Sequence, residues 1–148
     1  MLLTSLRNNV YSKLLNESST EELLTIPEGF NNNILWNIGH VVVSQQTLTY
    51  GLAGQPLHVP DEFLGLYRKG TSPKDWQSTP DIVLLKSLLI ELPETFIQDY
   101  KAGHFSNYKS YTSDGTGAVL NTIEDGIAFN DFHEGLHLGT ILTLRKLL

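Results

Sequence analysis

The sequence predicts an all-α protein, a four-helix bundle with a long connection between its second and third helices. Four stretches repeat apolar residues at intervals of three and four, the period of a helix with one buried face. No stretch reads as a convincing strand. Between residues 55 and 79 the period disappears for long enough to link two helices end to end. At 148 residues the chain has the size of one domain, so a single domain over 1–148 is expected. Its 41% apolar and 18% charged residues are a globular composition, not a disordered one.

The first helix is expected over residues 2–16, where Leu2, Leu3, Leu6, Val10, Leu14 and Leu15 share the helical spacing. Ser19 or Thr20, followed by Glu21 and Glu22, resembles the capped start of a short helical turn that Pro27 and Gly29 end. Asn31, Asn32 and Asn33 offer an N-cap for the second helix, which carries Ile34, Leu35, Ile38, Val41, Val42 and Leu48 and ends at Gly51 or Gly54. The valines in it favour strand, but a run of roughly 20 residues exceeds ordinary strand length and decides for helix. Prolines and glycines break up residues 55–79, with a short helix possible at Asp61 to Tyr67. An extended connection of this length can run back along a whole helix, which permits two successive helices to point the same way. Asp81 to Tyr100 forms the third helix, with Pro93 expected to kink it because proline lacks a backbone donor. Residues 104–121 read as a polar loop. Asn121 or Thr122 caps the last helix, with Glu124 and Asp125 in its first turn and Arg145 and Lys146 in its last, each sign suited to the helix dipole.

A formal charge of −6 and a pI near 5.2 leave no basic footprint, so nucleic acid is not an expected partner. There are no cysteines, which excludes disulfides, thiolate ligands and a catalytic thiol belonging to the chain itself. Metal chemistry would have to use His, Asp or Glu. Neither a signal peptide nor an apolar run of about 20 residues is evident, so a cytoplasmic location without a membrane partner is expected.

The chemistry concentrates in Phe132-His133-Glu134-Gly135-Leu136-His137-Leu138-Gly139. On a helix, residues four apart are neighbours, so the imidazoles of His133 and His137 can grip one ion. The pattern also reads His-Glu-x-x-His, the signature of zinc peptidases. A catalytic zinc needs three protein ligands, and no His, Cys, Asp or Glu follows His137, so a third ligand is expected upstream and on another helix. His58 and His104 fall in loops. His40 lies inside the apolar second helix, where a buried imidazole needs a partner, either a shared metal or an ordinary hydrogen bond.

The paired motifs Asn33-Ile34-Leu35-Trp36-Asn37-Ile38-Gly39-His40 and His133-Glu134-Gly135-Leu136-His137-Leu138-Gly139 resemble the DinB-like superfamily, damage-inducible four-helix-bundle proteins expected to depend on metal. The likeness covers essentially the whole chain. It implies an up-down-down-up bundle, one divalent metal on His40, His133 and His137, and a homodimer. Relatives include transferases and isomerases that use low-molecular-weight thiols, with hydrolase-like activity proposed for others. Some carry further polar residues at the metal, parts that Asn37, Glu134 or Thr140 would take here.

Three neutral imidazoles leave a coordination position open, the arrangement of a catalytic zinc site. Such an ion can activate water or hold a thiol as thiolate, and imidazole suits zinc or nickel, with iron and manganese as further candidates. The expected function is therefore a metal-dependent transferase using a small thiol, or a hydrolase, acting on a small-molecule substrate. The other reading is a stress-related, dimeric metal-binding protein without turnover. Glu134 is the candidate base by analogy with the peptidases. Its rotation of about 100° from His133 favours a supporting role instead. Trp36 and Phe132 are expected as core packing.

Overall fold

The computed structural model describes residues 5–148, so Leu2 and Leu3 of the expected first helix lie outside the described residues. The first helical segment, α1, is a π-helical turn at Arg7–Tyr11 running into an α-helix at Ser12–Glu17. Ser19 then caps the short helix α2, Thr20–Leu24, through a reciprocal box in which its hydroxyl accepts from the Glu22 N–H and the Glu22 carboxylate accepts from its own.

Helix α3, Ile34–Gln46, starts at Asn33, whose side-chain oxygen accepts from the Trp36 N–H at 2.7 Å. Every residue of it is buried except Ser44. A helix apolar around most of its circumference belongs at the centre of a packed structure, and α3 touches several neighbours there. A second π-helical turn, Thr47–Gly51, extends it. Helix α4, Asp61–Tyr67, and a 3-10 turn at Pro73–Asp75 interrupt the long connection. Helix α5, Ile82–Lys101, is capped by Asp81 and passes through Pro93. Helix α6, Ile123–Leu147, opens on Thr122, which forms a capping box with Asp125.

The architecture is predominantly helical, as the periodicity implies. One departure lies in residues 104–121, read from the sequence as a loop without strands. There, Tyr111–Thr112 and Val119–Leu120 pair antiparallel, with Tyr111 opposite Leu120 and Thr112 opposite Val119. Two residues per strand are too few for an alternation to show in a sequence. The turn between them closes through Ser113 N–H donating to the Ala118 carbonyl at 2.8 Å and through Gly117 at a φ of +72°, a conformation glycine adopts without steric cost.

The main apolar cluster gathers Leu14, Leu35, Ile38, Val42, Leu89 and Ile141 with neighbours from α1, α3, α5 and α6. A smaller one forms around Tyr50, Phe96, Phe105 and Ile123. Helices α3 and α6 make the most extensive contact of the fold. That contact brings together two motifs a hundred residues apart in the chain. No described helix is long and apolar enough to cross a membrane.

Candidate metal centre

His40 on α3 and His133 and His137 on α6 meet at the contact between those helices. Each offers a ring nitrogen within 4.8 Å of those of the other two. The ring centroids lie 5.3 Å apart for His40 and His133, 4.8 Å for His40 and His137, and 4.6 Å for His133 and His137.

Two of the rings are fixed by partners on their far nitrogens. His40 Nδ1 donates to the Tyr67 carbonyl at 2.7 Å, where α4 ends. That leaves Nε2 as the lone-pair nitrogen, which accepts from the Ser44 hydroxyl one turn on, at 3.2 Å. The approach of Tyr67 depends on Gly39, because a Cβ at that position would overlap the Tyr67 ring. Trp36 stacks on the other side of His40, with centroids 4.6 Å apart and planes within 10°. His137 Nδ1 donates to Asn37 Oδ1 at 2.8 Å. Asn37 is held in turn, since its Nδ2 donates to the Asn33 carbonyl at 2.7 Å. His133 differs: its Nδ1 is buried with no hydrogen-bond partner among the described residues.

These features suit a divalent ion. Metal-binding histidines normally donate their second N–H to a carbonyl or an acid or amide oxygen, which fixes the tautomer and aims the free nitrogen. His40 and His137 do so here, and the orphaned nitrogen on His133 is of the kind that ligation would satisfy. Burial holds all three rings neutral. It lowers His40, and with the added repulsion of neighbouring imidazoles it brings His133 down to about 4 and His137 to about 3. Neutral imidazole is the form that binds metal.

A cavity of about 670 Å³ adjoins the three rings. Phe129, Phe132, Leu136, Leu48 and Leu52 line one part of it, and Arg68, Lys69 and the hairpin residues Tyr111, Ser113 and Thr116 another. Phe132 is 52% exposed, so it is a wall of this cavity and not the core residue the sequence suggests. Trp36, 6% exposed, is core, although it also braces a site histidine.

Glu134 does not line this cavity. Its carboxylate pairs with Arg7, Nε to Oε1 at 3.1 Å and Nη2 to Oε2 at 3.3 Å, and both residues are fully buried. Tyr11 donates its hydroxyl to the Glu134 carbonyl at 3.2 Å, so the residue ties α6 to α1. Thr140 spends its hydroxyl on the Leu136 carbonyl of its own helix. His58 and His104 stand elsewhere, on either side of Asp99, at 3.7 and 3.3 Å from its oxygens.

The sequence model of the DinB superfamily matches residues 3–141. The chain belongs to the DinB superfamily. The match spans α1 through most of α6, and with it both halves of the histidine cluster. No curated protein matches the chain. Membership and the three-histidine group together establish a site compatible with metal binding in a DinB fold.

Four contributors to this site carry little or no signal in the sequence. Ser44 was within reach of it, lying four residues after His40 on the same helix face. The Tyr67 carbonyl carries no signal, because any residue has one. Arg68 and Lys69 sit in an aperiodic stretch where only the fold shows what they face.

Proposed function

We propose that this DinB protein holds one divalent metal ion on His40, His133 and His137 and uses it to transfer a low-molecular-weight thiol to an electrophilic small molecule. The observation that supports this most is the convergence of three neutral imidazoles in the lining of one cavity. Zinc or nickel suits such a ligand set best, with iron and manganese also compatible. When bound, the ion supplies a Lewis acid with an open position that stabilises a thiolate or lowers the pKa of water.

The chain's own residues do the rest. Tyr67 and Asn37 hold two rings in the tautomer that presents Nε2. Phe129, Phe132 and Leu136 keep water from part of the cavity and give an apolar substrate a surface to lie on. Ser44, released from His40 Nε2, is placed to hydrogen-bond whatever occupies the open position. No Asp or Glu among the described residues lines the cavity, which favours thiol transfer over hydrolysis. Hydrolysis gains more from a side chain that removes a proton from water, whereas a thiol can lose its proton to solvent on binding. Glu134, locked in its ion pair, acts as a structural support in this reading.

The up-down-down-up course of the four long helices and a homodimeric state belong to the same proposal. The exposed apolar side chains of Leu142 and Leu147 on α6 favour the dimer.

The test is reconstitution of protein purified without a nickel column. Loading with zinc, nickel, manganese or iron should give about one ion per chain, lost in His40→Ala, His133→Ala and His137→Ala. Metal-dependent consumption of a thiol such as cysteine or glutathione with a generic electrophile supports the transferase. Metal binding without turnover across all four ions and several thiols would instead support a stress-related binding protein.

A further inference from the structure

This acidic chain places an arginine without a carboxylate partner among the described residues at the cavity beside its histidines. The protein carries a formal charge of −6, yet among the described residues the cavity beside the histidines is lined by Arg68 and Lys69 and by no carboxylate. Lys69 is engaged, its Nζ lying 3.0 Å from Asp114 Oδ2. Arg68 has no carboxylate partner among the described residues. It directly follows Tyr67, so its backbone continues from the carbonyl that orients His40. The apolar part of the lining adds a second oddity. Phe132 and Leu136, on one turn of α6, leave 52% and 53% of their surface open.

A bound molecule with two unlike ends accounts for both. A guanidinium is a planar fork that matches a carboxylate or a phosphate with two parallel hydrogen bonds. A cation beside a cleft with no carboxylate partner draws in the opposite charge. Exposed aromatic and branched side chains clustered in a cavity of this volume are the ordinary surface for an apolar ligand.

We infer that the substrate taken by this cavity is an anion with an apolar body, its carboxylate or phosphate held by Arg68 and its apolar part lying against Phe129, Phe132 and Leu136. The inference rests on the reading that substrate enters this cavity, and it adds the class of substrate. The apolar wall assigns the anion to the electrophilic partner, since a small hydrophilic thiol would gain little from it.

The experiment compares 2-naphthoate, 2-naphthyl phosphate and the neutral 2-naphthamide by titration calorimetry, on metal-free and zinc-loaded protein and on Arg68→Gln and Arg68→Lys. At least one anion should bind on the order of tenfold tighter than the amide in the metal-free protein, where direct coordination cannot contribute. Arg68→Gln should abolish that preference and leave amide affinity unchanged, while Arg68→Lys should keep part of it. Whichever anion binds tighter identifies the head group, carboxylate or phosphate. Equal affinities for anion and amide, no binding by any of the three, or a preference that survives Arg68→Gln would overturn the inference. Zinc content measured on the same samples separates the two proposals. Zinc retained with no anion preference sinks only the substrate class, and a preference in protein that takes up no zinc sinks only the metal reading.

Discussion

His137 and Asn37, a hundred residues apart, are joined by a hydrogen bond of 2.8 Å that fixes the tautomer of one site histidine. Removing the acceptor frees that ring to rotate and to protonate on the wrong nitrogen. Outer partners of this kind contribute about 10–100-fold to metal affinity. Asn37→Leu is therefore expected to weaken zinc binding by about that factor while the helical circular dichroism signal stays near wild type. His104→Ala, which touches Asp99 and not the cluster, should leave zinc affinity unchanged.

Glu134 is expected to matter for stability and not for chemistry. Its carboxylate and the Arg7 guanidinium are both shut off from water, so removing Glu134 leaves the guanidinium buried without its paired carboxylate. Breaking such a pair costs about 3–5 kcal/mol. Glu134→Ala should lower the urea midpoint accordingly, yet protein kept folded at low temperature should still bind one zinc. Replacing both partners by apolar residues, Arg7→Met with Glu134→Leu, should recover most of the loss. Equal damage from the double variant would argue against the ion-pair account.

Gly39→Ala tests the seating of Tyr67. The added methyl must displace that ring, and overpacking of this kind typically costs about 1–3 kcal/mol. Because the Tyr67 carbonyl holds His40 Nδ1, the variant should lose zinc affinity as well as stability. Gly135→Ala, where no atom lies within 4 Å of the added carbon, should lose neither.

Acid should destabilise the metal-free protein through its buried imidazoles. Burial and neighbouring imidazoles lower His133 to about 4 and His137 to about 3, against an ordinary value of 6.5. Between these limits the unfolded chain binds more protons than the folded one, so stability rises with pH. It is fully present above about pH 6.5 and is lost progressively as pH falls through about 4 and then about 3. Urea midpoints of metal-free protein should drop from neutral pH to about pH 5, and His137→Gln should flatten part of that slope.

The long helices α3, α5 and α6 were legible because each follows its own period and starts at a side-chain cap, Asn33, Asp81 and Thr122. The pairing of His133 with His137 was legible for the same reason, since spacing of four on a helix is geometry. His40 was a candidate because a buried imidazole needs either a metal or a hydrogen bond, and the resemblance to the DinB-like superfamily is what joined it to that pair. What stayed hidden depends on contacts between distant parts of the chain. The partner of Glu134 is 127 residues away. The acceptor for His40 is a main-chain carbonyl, identical in every residue. Phe132 looks like any core aromatic until the cavity beside it is seen.

The cavity's walls and its reactive centre come from different parts of the chain. All three histidines stand on α3 and α6, while Arg68, Lys69 and the turn between Ser113 and Ala118 reach the cavity from exposed connections bridged by Lys69 and Asp114. Exchanging that turn for one of another length or polarity thus offers a route to retarget the molecule without rebuilding the helices beneath it. By the same logic, lineages descended from a common ancestor could diverge in what they accept while inheriting one unaltered set of imidazoles.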